Sequence, residues 1–290
     1  MYKMIKEKIQ TILSEKNRNI TIKNIYSVGG GCINQSAKIE TNQGLFFAKW
    51  NHAKKYPRMF ETEAMGLNIL ADTNKIKIPE VISQKTIGET DFLILEFIEN
   101  GSPSKNFWND FGKSLAKIHK HTAEKFGLNH DNYIGSLPQS NKQHASWSEF
   151  FILERLEPQI KLAKDERKIN HTAIKQFSNL FNRLEKIFPI EKPSLLHGDL
   201  WSGNYLIGSK GEPSIIDPAV YFGHREMDIG MTKLFGGFSP AFYESYNEEF
   251  PLEKNWQERT DTCNLYPLMV HVNLFGRSYV MQVESILRKF

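Results

Sequence analysis

The residues of this chain best suited to chemistry lie in one short run, His197-Gly198-Asp199-Leu200-Trp201-Ser202-Gly203-Asn204. An aspartate beside an attacking hydroxyl can orient it and accept its proton. An asparagine a few residues later can offer its carbonyl oxygen to Mg2+, a hard cation that takes oxygen ligands. On its own the run also fits a solvated turn, because Asp and Asn are common turn residues. Its surroundings favour chemistry. Leu195-Leu196 lead into it from an apolar stretch, and a short hairpin follows whose second strand ends at Ile215-Ile216-Asp217-Pro218. Asp217 therefore stands just past a strand end, where a second carboxylate can return to hold Mg2+ across nucleotide phosphates. The reaction such a set serves is phosphoryl transfer, which needs positioning and charge neutralisation more than covalent chemistry.

Phosphate anchors are expected upstream. Gly29-Gly30-Gly31-Cys32-Ile33-Asn34 sits between strand-like segments, and glycines let a hairpin backbone lie close over phosphates. The run is neither G-x-G-x-x-G nor a Walker A, and a plain glycine-rich hairpin fits it equally well. Lys49 lies in the strand-like Leu45–Trp50, on the face shared by Leu45 and Phe47. A lysine there either snorkels to water or meets an anion. Glu63 is the expected partner. It falls at the edge of the apolar face of a helix whose stripe is Phe60, Ala64, Leu67 and Ala71, whereas Glu61 points away from that stripe. A Lys–Glu pair that orients phosphates, together with the H-x-D-x-x-x-x-N spacing of the later loop, is the arrangement of kinases. Phe92–Phe97 reads as an apolar strand whose backbone around Glu96 and Phe97 can bond a nucleotide base; a plain buried strand is equally compatible.

The elements that must position these residues change character along the chain. Ile5, Ile9, Ile12 and Leu13 predict an opening amphipathic helix. Strands follow at Ile20–Val28, Ala37–Thr41, Leu45–Trp50, Val81–Thr86 and Phe92–Phe97, with the helix Arg58–Ala71 among them. After Asn100-Gly101-Ser102-Pro103 the pattern turns helical, at the Phe107–Ile118 stripe, Trp147–Lys164, Ala173–Phe188 and most of the chain from Glu226. Short strands are expected there only at Tyr205–Ile207 and Ser214–Ile216. The expected fold class is α+β and bilobal. Residues 1–98 form a small antiparallel-sheet lobe that binds ATP, and residues 99–290 form a larger, mainly helical lobe with the catalytic loop. ATP is expected between them.

Composition excludes other classes. The 290 residues are 40% hydrophobic and 24% charged, as in an ordinary soluble domain. A net charge of +4 with no dense basic run argues against nucleic-acid binding. No apolar run approaches the roughly 20 residues of a membrane span, and the charged N-terminus does not read as a signal peptide. Two distant cysteines, Cys32 and Cys263, make no disulfide framework. A cytoplasmic setting is expected; the oligomeric state is open.

The run 196–204 resembles the fructosamine/ketosamine-3-kinase family, a protein-kinase-like group related to aminoglycoside and choline kinases. The resemblance continues through Asp217-Pro218-Ala219-Val220-Tyr221-Phe222-Gly223-His224-Arg225-Glu226, Phe235-Gly236-Gly237-Phe238, Asn132-Tyr133-Ile134-Gly135 and Asn273-Leu274-Phe275-Gly276, nearly the whole chain. The Trp-Ser-Gly insert and the Gly-His-Arg-Glu run separate it from general aminoglycoside kinases. The resemblance implies ATP-dependent phosphorylation of the 3-hydroxyl of a small-molecule ketosamine or glycated amine, a deglycation reaction. It implies Asp199 as base, Asn204 and Asp217 as Mg2+ ligands, Lys49 and Glu63 as the phosphate-anchoring pair, and Asp228 as a brace for the catalytic loop. Trp201 packs on a sugar ring or shields the loop. His224 lines the substrate site or holds a turn. Cys32, in the phosphate loop, is a redox handle or an inert thiol. The alternatives are a kinase for another amino alcohol of aminoglycoside or choline type, and a non-catalytic, redox-sensing nucleotide-binding module.

Overall fold

A computed structural model describes residues 2–29 and 33–290. The chain folds as two compact units, one made of Met1–Pro103 with Leu206–Ile216, the other of Ser104–Tyr205 with Asp217–Phe290.

The first unit opens with helix α1 (Tyr2–Lys16). Five antiparallel strands follow: β1 (Ile22–Ser27), β2 (Gln35–Thr41), β3 (Gly44–His52), and, after helix α2 (Met59–Asp72), β4 (Val81–Ile87) and β5 (Thr90–Glu96), in the order β1-β2-β3-β5-β4. The period-2 geometry of β3 sorts its residues. Ala48 and Trp50 join Ile9, Ile12 and Leu13 of α1 and Phe92 and Ile94 of β5 in one apolar core. Lys49 takes the opposite face, opposite Leu93 in register. Helix α2 lies against β4 and β5 and buries Phe60, Ala64, Leu67 and Leu70.

In the second unit, helix α3 (Phe107–His119) is followed by the hairpin β6 (Asn132–Ile134) and β7 (Leu137–Gln139). Helix α4 (Trp147–Phe150) runs through a π-helical turn, Phe151–Leu156, into α5 (Glu157–Asp165). Then come α6 (His171–Phe181), α7 (Leu184–Ile187) and β8 (Ser194–Leu196). β9 (Tyr205–Ile207) and β10 (Pro213–Ile215) form the hairpin whose residues 206–216 belong to the first unit, tied there by Gly101 N–H donating to Ile207 O (2.9 Å) and Ile215 N–H donating to Lys77 O (3.1 Å). β11 (Tyr221–Gly223) returns to pair with β8. Helices α8 (Glu226–Leu234), α9 (Pro240–Glu249), α10 (Trp256–Phe275) and α11 (Val280–Leu287) complete the unit around a core that includes Phe150, Phe151, Phe177, Tyr221, Tyr266 and Met269.

Three expectations are corrected here. Short strands are not confined to the expected 205–207 and 214–216, because β6, β7, β8 and β11 occur as well. Each is three residues long, too short for alternation to show in the sequence. The helix expected over 173–188 breaks after Phe181, and Phe188 is extended. The helix over 147–165 carries the π-turn, which shifts its facing. Arg155 is turned inside, fully buried with its guanidinium 4.0 Å from the Tyr221 ring and 4.5 Å from the Phe150 ring, while Leu153 is exposed. Among the described residues no helix is long and apolar enough to cross a membrane.

Candidate active site

The catalytic-loop run grows out of β8, whose three residues are all buried. Gly198 follows with φ +83°, and a Cβ there would stand 2.1 Å from the Ala219 carbonyl oxygen, so only glycine fits. The backbone is then fixed from below by Asp228, on α8 and 1% exposed. Its Oδ2 accepts from the His197 N–H (2.7 Å) and its Oδ1 from the Gly198 N–H (2.9 Å). His119, at the end of α3 and fully buried, adds its Nε2 at 3.2 Å from Oδ2 and sets its Nδ1 2.8 Å from the Tyr246 hydroxyl. Tyr246 donating to Nδ1 assigns the proton to Nε2, so His119 donates to the carboxylate. Burial alone would push the Asp228 carboxyl up. The hydrogen bond from His119, with His197 and the Gly198 N–H behind it, reverses that and holds it below its ordinary range.

Asp199 sits half-buried above this brace. Its carboxyl is pushed up to about 7, chiefly by desolvation and then by the neighbouring charge of Asp217. Asn204 bonds back across the loop, donating from Nδ2 to the Asp199 carbonyl (2.8 Å) and to Asp199 Oδ2 (3.1 Å). With its nitrogen committed, the amide turns Oδ1 to the other side as an oxygen donor. Asp217 is exposed and holds φ +54°, an uncommon conformation for a non-glycine residue. One carboxamide oxygen and one carboxylate are hard donors, a set that suits Mg2+ when phosphates and water complete the shell. Among the described residues no cluster of three or more His, Cys, Asp or Glu forms a dedicated metal cage. Trp201 is 38% exposed, lies over the backbone of Gly203 and meets Phe235 edge-on at 5.9 Å.

In the first unit Lys49 Nζ meets Glu63 Oε1 at 2.7 Å, with both side chains largely buried. Glu61 instead pairs with Arg58 at 2.7 Å on the exposed side of α2. Glu96 is corrected in one respect. Its backbone N–H already donates to Glu80 O (2.8 Å) and its carboxylate pairs with Lys77 at 2.6 Å, so a base could use only its carbonyl. Phe97 carries the Lys38 ammonium 4.8 Å from its ring centre. Gly29 is described, with open space where a Cβ would stand. Gly30, Gly31 and Cys32 lie outside the described residues.

His224 is also corrected. It is fully buried, with its ring centre 5.1 Å from Phe188 and 5.9 Å from Trp147, so it lines no open surface. Burial lowers its ring to about 4 despite the nearby Glu191 carboxylate. It begins a pinning run. Arg225 bonds Glu191 (2.7 Å) and the carbonyls of Phe250 and Pro251, and Glu226 bonds Arg259 (2.6 Å). The residue that sequence reasoning missed is His119. It sits on an ordinary apolar helical stripe beside Leu115 and Ile118, and only its contact with Asp228 marks it.

A model of the fructosamine kinase family matches residues 4–290. The chain belongs to the fructosamine kinase family. Two relatives illustrate the range of the family. A protein of Enterococcus faecium named a probable ketoamine kinase is 39% identical over 284 residues, spanning 97% of this chain and 99% of that one. A chloroplastic protein-ribulosamine 3-kinase of Arabidopsis thaliana is 37% identical over 299 residues, spanning 99% and 88%. Among solved structures, a fructosamine-3-kinase candidate from Thermobifida fusca matches with a TM-score of 0.88 at 29% identity over 97% of both chains. An aminoglycoside phosphotransferase solved with AMP-PNP and hygromycin B matches at 0.64 and 13% identity over 97% of this chain and 98% of that one, a likeness of fold alone. The fructosamine kinase family thus has the protein-kinase-like fold found here, an antiparallel sheet early in the chain and helices later.

Proposed function

We propose that the protein is an ATP-dependent ketosamine kinase that phosphorylates the 3-hydroxyl of sugar adducts on amines. The observation that carries this reading is the half-buried Asp199, bonded by Asn204 and close enough to Asp217 for that charge to raise its carboxyl. The names of the ketoamine and ribulosamine kinase relatives support the choice of acceptor.

In this reading Asp199 aligns the attacking hydroxyl and takes its proton. Its raised carboxyl suits a general base that works near neutrality. Asn204 Oδ1 and Asp217 would hold Mg2+, which supplies charge neutralisation on phosphate oxygens when bound. Lys49, fixed by Glu63, offers its ammonium to phosphate oxygens. The carbonyl of Glu96 and the backbone of Phe97 take the adenine edge. Trp201 offers a flat apolar face to the sugar. Asp228 and His119 keep the loop in place without touching substrate.

The direct test is ADP release in the presence of ATP and Mg2+ with synthetic ribulose- and fructose-derived amine adducts. Turnover with the adducts and none with choline or an aminoglycoside is the expected result; the reverse preference overturns the acceptor assignment. A second prediction concerns the anchor. Glu63→Gln removes one charge-assisted bond to Lys49, and kcat/KM for ATP is expected to fall about 10–100-fold. Steady-state kinetics with ATP varied at saturating acceptor measures it. A change below about twofold would mean that Glu63 does not orient the lysine.

A further inference from the structure

Two runs that carry the family resemblance, Phe235-Gly236-Gly237-Phe238 and Asn273-Leu274-Phe275-Gly276, have no part in the chemistry just described; the first touches the catalytic loop, and the second connects to it through the rings of His271 and Phe235. Gly237 has φ +93°, and a Cβ there would come within 2.7 Å of the Ser202 Cβ, so the loop after α8 is pressed against the catalytic loop. That contact sets Phe235 beside Trp201, ring centres 5.9 Å apart. Phe235 in turn lies 5.0 Å from His271, and His271 lies 5.3 Å from Phe275 and 4.9 Å from Tyr279. A chain of rings therefore leads away from the catalytic loop, all of it within the second unit.

These rings are not core. Trp201 is 38%, Phe235 39% and Phe275 51% exposed. Exposed large apolar side chains in a contiguous row mark a contact surface, whereas isolated ones need no explanation. His271 gives the row a polar point. Its Nδ1–H donates to the Pro267 carbonyl at 2.7 Å, and burial lowers the ring's affinity for a second proton, which leaves Nε2 an acceptor. Aromatic faces with one acceptor suit a cation that carries both N–H groups and an apolar chain. Arg277, next along the chain, donates to the Arg167 carbonyl at 2.8 Å.

We propose that Phe235, His271 and Phe275, continuing from Trp201, form the subsite for the amine arm of the acceptor, a secondary alkylammonium with an aliphatic chain such as a glycated lysine. The inference rests on the ketosamine reading of the acceptor. In such a molecule the amine stands a few bonds from the 3-hydroxyl, so a sugar held at Trp201 sends its amine arm along this row. The small amine of a short adduct would reach Phe235 alone, and a longer chain would cover His271 and Phe275.

The test compares ribulosamine adducts of methylamine and butylamine with the full chain, ATP and Mg2+. The ratio of their kcat/KM values is the readout. The wild type is expected to favour the butyl adduct about tenfold, the range that a few methylenes give in an apolar site. Phe275→Ser and, independently, Phe235→Ala are expected to bring the ratio to about one, and Phe275→Tyr to retain it. A structural role would lower both substrates together and leave the ratio unchanged. A wild-type ratio near one, or a ratio untouched in both truncations, overturns the subsite while leaving the kinase reading in place. No ADP release with either adduct removes the acceptor assignment and this inference together.

Discussion

Asp199→Asn is expected to lower kcat by about 10³-fold, within the range that a positioned general base supplies, while the dissociation constant for ATP changes less than about threefold. The substitution keeps the shape of the side chain and leaves an oxygen to accept from Asn204 Nδ2, so the loop geometry survives. What is lost is the group proposed to take the hydroxyl proton. Activity within about tenfold of wild type would remove Asp199 from that role.

The same variant is expected to be more stable than the wild type. The folded carboxyl titrates near 7 and the unfolded one near 3.8. Below the unfolded value both states are protonated and the group contributes nothing. As pH rises from about 4 to about 7, the unfolded chain ionises while the folded one resists, so the wild type loses stability across that window and then levels off. Asparagine does not titrate. The gain in melting temperature should therefore be near zero at pH 4 and reach roughly 2–4 °C or more above pH 7, by differential scanning fluorimetry across pH. An acid limb in the wild-type kcat/KM profile follows from the same titration. A melting temperature for Asp199→Asn that is lower than wild type at pH 8 would contradict the desolvated carboxylate.

The candidate site residues that the structure pairs, Asp199 with Asn204 and Lys49 with Glu63, were legible in the sequence because their spacing is local. Asp199 and Asn204 share one loop, and Lys49 and Glu63 follow from a period of two in β3 and of 3.6 in α2. The sheet strands of the first unit were legible for the same reason. What was hidden depends on distant pairing. β8 and β11 are defined by each other, not by their own three residues. Residues 206–216 join the first unit through bonds to Lys77 and Gly101, which a reading along the chain cannot weigh. Arg155 is enclosed by the rings of Phe150 and Tyr221, a burial that its neighbours along the chain do not announce. The family resemblance puts His224 either in the substrate site or at a turn; packing against Trp147 and Phe188 removes it from the site, and the Glu226 N–H donating to its Nδ1 (3.4 Å) fits the turn. His119, which touches the brace itself, carried no signal at all.

Asp228→Asn is expected to cost about 3–5 kcal/mol of stability, the penalty of breaking a buried charged network, and to lower the melting temperature by about 10 °C or more. Three donors converge on this carboxylate: the N–H groups of His197 and Gly198, and His119 Nε2. An amide has one oxygen, so its NH2 must face at least one of those donors. That is a loss no rotation of the side chain repairs. The two backbone donors hold the residues immediately before Asp199, so the damage reaches catalysis even below the new melting point. Under those conditions kcat should fall about 100-fold or more with a smaller change in KM for ATP, because the two bonds hold the residues beside the proposed base, while Lys49 and Glu63 lie outside this loop and Asn204 stands at its far end. His119→Gln removes one donor and leaves the backbone bonds in place, so its effect on both quantities is expected to be smaller. Because the Asp228 carboxyl is held low, its contribution is present above the unfolded value near 3.8 and fades as pH falls through the folded value, so wild type and variant should converge in acid. Equal melting temperatures at pH 7 would show that Asp228 is a bystander, and the loop would need another source of its shape.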